Sequence, residues 1–122
     1  MEQVLCKGYI AAADYSSTGQ YRFVKLTSAN TITLCGAGER PIGILQNNPE
    51  EGEIGNVMLY GISKLYASAA IALMAAVGIA ADGEGVTTTT DTDEYGGLCV
   101  EAGTAADDVI QILLTPGAMF AG

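Results

Sequence analysis

The stretch LCGAGERPIGIL, residues 34–45, sets two glycines two positions apart between apolar runs. Such a loop either cradles a phosphate at the mouth of an α/β enzyme or links two strands tightly. A dinucleotide fingerprint needs a third glycine three residues after the second, with a helix behind it. That position is Pro41. A P-loop needs Gly-Lys followed by Ser or Thr, and the chain has no such run. Downstream come IGIL (42–45) and the polar loop QNNPEEGEIG (46–55). Neither is a helix N-terminus that would draw an anion. The glycines therefore read as a turn between strands.

The rest of the chain agrees. Glycine makes up 16 of 122 residues and is spread along the sequence, punctuating short elements. The runs 21–26 (YRFVKL), 31–34 (TITL) and 42–45 read as strands. NVMLY (56–60) is followed at once by ISKLY (62–66), with Gly61 as a bend or bulge. The alanine-rich run is expected to make a helical turn over 68–73 and a strand over 75–80. ADGEG (81–85) reads as a hairpin turn, because Asp-Gly supplies the positive φ that tight turns need. VTTTT (86–90) returns, and 98–101 pairs with 109–114. Thr115-Pro116-Gly117 is expected to end regular structure. The fold class is thus mostly β, a small single-domain barrel or sandwich with at most one short helix. The division is an arm over 1–13, a β domain over 14–114 and a tail over 115–122.

Charge narrows the partners. The formal net charge is −9, unevenly placed. Residues 1–64 hold all five bases and six acids; residues 65–122 hold eight acids and no base. Nucleic acid binding rests on cations that displace condensed counterions, so no nucleic acid partner is expected. Anionic membrane surfaces are disfavoured for the same reason. The longest uncharged run, 65–81, is mostly alanine and too weakly apolar for a membrane span. The start, MEQVLCKGYI, lacks the apolar core of a signal peptide. Three scattered cysteines, Cys6, Cys35 and Cys99, suggest no disulfide framework and fit a reducing compartment.

Catalytic and metal chemistry find little support. No histidine is present, which removes Ser-His and Cys-His dyads. Ser63 and Lys64 are adjacent, so in a strand they face opposite sides; Lys64 reads as a stem laid across Tyr60 or Tyr66. Without His or a C-x-x-C pair, zinc is not expected. Asp91 and Asp93, with Gly96 in sixth place, begin like a calcium loop, but the twelfth place is Ala102 where a bidentate Glu is required. The remaining acids gather in loops, where water keeps a carboxylate at its ordinary pKa. No cofactor is expected, and the chain does not read as an enzyme.

Taken together, 19–26 (GQYRFVKL), 43–52 (GILQNNPEEG) with 57–61, and 97–114 resemble, in order and spacing, the small cement or head decoration proteins of tailed bacteriophages. The likeness spans most of 14–114. It implies a tulip-like β fold and a homotrimer on the outer surface of the virion, made in the host cytoplasm. It also implies the major capsid protein as partner, reached by an N-terminal segment, with the capsid stabilised against internal DNA pressure. Within residues 1–13, Val4, Leu5, Tyr9 and Ile10 are the candidate capsid contacts. This segment either pairs with a capsid strand edge or is the first strand of the chain's own barrel. A small β-barrel that binds a ligand or metal at its acidic loops is the competing reading.

Overall fold

The computed structural model describes residues 5–36, 39–87, 94–102 and 109–118, leaving aside the side chains of 94–96 and 115–118. Nine strands form within them: β1 Leu5–Ala11, β2 Phe23–Ser28, β3 Thr31–Leu34, β4 Gly43–Leu45, β5 Ile54–Tyr66, β6 Ala76–Ile79, β7 Gly85–Thr87, β8 Glu94–Glu101 and β9 Val109–Ala118. Their order is β1-β3-β2-β4-β5-β9-β8-β6-β7, and β1 also pairs with β5. The first five strands therefore close on themselves as a barrel. The remaining four extend from the far half of β5 as a second sheet. That sheet curls until Gly85 meets Ala67, just beyond β5, in a parallel bridge.

β5 is the common wall. The sequence reads as two successive strands broken at Gly61; the structure makes one strand of 13 residues. Gly61, at φ 124°, is where the partner changes. Leu5 pairs with Tyr60 on one side of it, and Leu114 pairs with Gly61 itself. Ser63 turns inward at this wall, where its hydroxyl accepts a hydrogen bond from Gln46 Nε2 at 2.9 Å.

Two cores result. Tyr9, Ala11, Tyr15, Val24, Ile32, Leu45 and Val57 fill the first barrel. A larger cluster fills the second sheet, and it includes Phe23 and Ile44 from the outside of the first barrel. Alternation explains this: Val24 and Leu45 point into the barrel, so Phe23 and Ile44 point out. Both are fully buried because the second sheet lies over them.

Two sequence expectations change. No helical turn forms over 68–73. The segment is too short to nucleate a helix alone, and its amides are spent on neighbours: Ser68 N donates to Gly85 O at 2.8 Å and Met74 N to Cys99 O at 2.8 Å. Regular structure does not end at Thr115, since β9 continues to Ala118 against Glu94 and Tyr95 of β8. Beyond Leu114 only β8 lies beside it among the described residues, so Pro116 can sit where a donor is not needed. Of the two readings left open for residues 1–13, the described part, residues 5–11, forms a strand of the chain's own barrel. The ADGEG turn forms as read, with Asp82 at φ 60° and Gly83 at φ 75°, and β6 and β7 pair across it.

The loop of residues 34–45 is indeed a link, joining β3 to β4. Glu39 fastens it, accepting hydrogen bonds from the Gly36 amide and from Lys25 Nζ at 2.6 Å. These bonds hold the Glu39 carboxyl below its ordinary pKa, the Lys25 bond most. A lowered carboxyl pKa stabilises the fold above the unfolded value and loses that contribution as pH falls through the folded one. Glu39→Gln is therefore expected to lower the melting temperature slightly at pH 7, with the difference closing below about pH 4. A gap that persists in acid would show that the bond to Lys25 is not its source.

Candidate functional site

β1 carries the features that a partner could use. Its register with β5 is antiparallel, from Leu5 opposite Tyr60 to Ile10 opposite Ile54. In such a ladder, backbone groups point alternately toward and away from the neighbour. Ala11 N donates to Glu53 O at 2.9 Å, on the β5 side, and Ile10 N to Asn30 O at 2.7 Å, on the other. The N–H and C=O groups of Tyr9 and Lys7 thus face β5. Those of Gly8 and Cys6 face away. On that far side β3 reaches only Ile10 and Ala11. Among the described residues no strand lies beside residues 5–9 there, and residues 5–8 are all exposed. An open strand edge of this kind is a ready template for another chain.

Exposed apolar side chains flank the edge on both sides of the sheet. Leu5 (58% exposed), Ile54 (59%), Tyr60 (54%), Ile10 and Ile62 all show their side chains to solvent. Pairing sets them in separate pairs: Ile10 opposite Ile54, Leu5 opposite Tyr60, and Ile62 opposite the half-buried Leu113 of β9. Ile54 leans across Gly8, where a Cβ would meet its Cγ2 at 2.8 Å. Alternation along β1 puts Leu5 on the side of Tyr9 and Ile10 on the other, so Leu5 with Tyr60 and Ile10 with Ile54 lie on opposite faces of the sheet; the register shift between Leu5 and Cys6 marks the change on β5.

Of the candidate contacts, Leu5 and Ile10 are exposed, on opposite faces of β1. Tyr9 is buried and packs in the first barrel. Val4 lies outside the described residues, as do Asp91 and Asp93. Sequence reasoning missed Ile54, Tyr60 and Ile62. The signal was present: 57–62 is apolar at odd and even positions alike, and a strand apolar on both faces needs cover on both.

Chemistry elsewhere is sparse. A cleft of about 120 Å³ is lined by Ser17, Thr18, Gln20, Arg22, Asn48 and Tyr66. The Arg22 guanidinium lies over the Tyr66 ring, 5.5 Å from its centroid, and pairs with Glu84 at 3.6 Å. It thereby ties the β6–β7 turn to β2. Lys64 lies over Tyr21 at 5.7 Å, not over Tyr60 or Tyr66. Among the described residues no three of His, Cys, Asp and Glu form a metal-holding group. Cys6 is exposed on the open edge, whereas Cys35 and Cys99 are buried. Burial is the main cause that pushes the Cys35 thiol up to about 12. A thiol reagent at pH 8 is expected to modify Cys6 alone in the native protein and all three cysteines after unfolding. Rapid native labelling of Cys35 or Cys99 would contradict the packing described here.

Among curated proteins none matches the sequence. Among solved structures, the base of the head fiber protein gp8.5 of bacteriophage phi29 shares the fold, with a TM-score of 0.71 at 14% identity over 93% of this chain and 95% of that one. A family model described as phage cement protein matches residues 10–114. That match spans both halves of the fold from Ile10, near the end of β1, to Leu114 in β9, and by it the chain belongs to the phage cement proteins, structural components of the viral head.

Proposed function

We propose that this protein seats on the outer surface of a phage capsid as a homotrimer and braces the shell against the pressure of packaged DNA. Its work is mechanical: it transforms no substrate and contacts no nucleic acid. It is made in the host cytoplasm and joins the shell there. The capsid contact is β1, through the open edge of residues 5–9 with Leu5 and Ile10 beside it, and the partner is the major capsid protein. Tyr9 serves by anchoring the strand in the core.

The observation that carries this reading is the one-sided pairing of β1. An added capsid strand would take up the Cys6 and Gly8 backbone groups and leave the internal ladder intact. Such a contact is weak singly. Three per trimer raise the avidity by ~10²–10⁴-fold when geometry lets all engage together.

Cys6→Pro tests the assignment. Its missing N–H points away from β5, so the ladder is spared while the edge loses a donor and gains a bulky ring. Attachment to expanded empty shells is expected to fall ~10-fold or more, with the melting temperature close to that of the parent. Leu5→Lys, which blunts the same edge with a charge, should act alike if the proline variant folds poorly. Undiminished attachment by either folded variant would overturn the edge assignment. A saturable thermal shift with a small sugar or metal, and no attachment to shells, would favour the ligand-binding module instead.

A further inference from the structure

The clefts around Arg22 share no residue with the β1 edge and take no part in the capsid contact. We infer that they form a binding site for a neutral saccharide, carried by the protein in addition to its place on the head.

Separate segments of the chain meet to build the site. Gln20 N donates to Asn48 Oδ1 at 3.0 Å, and Gln20 Nε2 donates to Gln46 O at 3.0 Å. These bonds fasten the chain before β2 to the loop after β4. Tyr66 N donates to Tyr21 O at 2.9 Å, which brings the end of β5 to the same place. Arg22 then reaches the β6–β7 turn, where its Nη1 donates to Asp82 O at 3.3 Å. Beside the smaller cleft described above lies a second of about 370 Å³, lined by Thr18, Arg22, Leu34, Asp82 and Glu84. Thr18 and Arg22 border both. Small-molecule sites begin at about 300 Å³, so the second cleft is large enough to hold a ligand.

The ligand class follows from what the walls offer. Arg22 Nε is buried and has no hydrogen-bond partner among the described residues. A buried donor left unpaired costs ~1–3 kcal/mol, and native folds keep few of them. A ligand oxygen beside Arg22 would supply the acceptor, which an ammonium ion cannot. Asp82 and Glu84 add two carboxylates against one guanidinium, in a chain of net −9. An anion is repelled by that field and gives the carboxylates no donor. A hydroxyl group answers both walls: its oxygen accepts from Arg22 and its proton goes to a carboxylate. A neutral sugar holds several hydroxyls in a fixed array. Leu34 and Tyr66 lend the clefts some apolar surface for the C–H face of its ring.

Saturation-transfer NMR on the full chain tests this, with glucose, galactose, mannose and N-acetylglucosamine as probes. At least one is expected to bind saturably in the millimolar range. Glucuronate, the anionic counterpart of glucose, should bind more weakly than glucose. Thr18→Trp, at an exposed position that borders both clefts, should weaken binding ~10-fold or more with the melting temperature unchanged. Arg22→Lys keeps the charge but loses the guanidinium, and should act alike. Both variants should still attach to expanded empty shells, since the β1 edge is untouched. Retention on beads carrying the polymer of the bound sugar assigns a surface glycan as the source; binding of the free sugar alone assigns a soluble one. No saturable transfer to any of these probes, or binding that Thr18→Trp leaves intact, would overturn the saccharide site while the shell assay judges the capsid reading separately.

Discussion

Gly97→Ala is expected to cost ~3 kcal/mol or more and to leave little soluble protein. A Cβ built at Gly97 would lie 2.0 Å from Leu113 O and 2.9 Å from Leu113 C. Both are backbone atoms, so no side-chain rotation relieves the clash. β8 and β9 would have to part where Gly97 pairs with Leu114, and the second sheet would lose its central seam. Gly43 stands in the same relation to β5, with Met58 O at 2.1 Å, and Gly43→Ala should fail similarly. Gly52 supplies the contrast. It has φ 85° but nothing within 4 Å of its added Cβ, so alanine there brings only backbone strain of ~1 kcal/mol. Urea midpoints of the three variants check the ranking. A Gly97→Ala protein as stable as Gly52→Ala would mean that β8 and β9 do not approach so closely.

The second large effect is at Phe23. It is fully buried, and although it belongs to β2 it packs with Leu65, Ile71, Val77 and Ile110 of the other half. Phe23→Ala removes the largest side chain joining the two halves and opens a cavity between them, for a loss of ~3–5 kcal/mol. Domains of this size hold only ~5–15 kcal/mol in all. The variant is expected to unfold at a much lower urea concentration. Its transition should also broaden if the first barrel outlasts the second sheet. A loss below about 1 kcal/mol would show that the halves are not coupled through this residue.

How much of this was legible in the sequence depends on the element. Strands with clean alternation or strong turn chemistry were readable: TITL, the Asp82-Gly83 hairpin, and the glycine link before IGIL. Residues 68–75 were not, because their alanines favour a helix locally while their hydrogen bonds go to distant strands, which only the fold brings near. Pro116 misled for a related reason: a proline ends a strand flanked on both sides, but β9 has lost one neighbour by then. The candidate contacts Leu5 and Ile10 were visible as apolar residues ahead of the first convincing strand. That Tyr9 between them is core follows only from the register with β5. Tyr60 and Ile62 were legible in principle, since one strand apolar on both faces signals two coverings. Single-sequence patterning could not say that no second covering lies over them among the described residues.

The central claim is that this chain is held on the capsid exterior by β1 and by its own copies. Cryo-microscopy of virions that carry it tests that claim most directly. The expected map shows three-lobed density on the outer surface and a capsid strand continuing the sheet beside Cys6 and Gly8. Density inside the shell, single isolated lobes, or a β1 edge open to solvent in the assembled particle would contradict it.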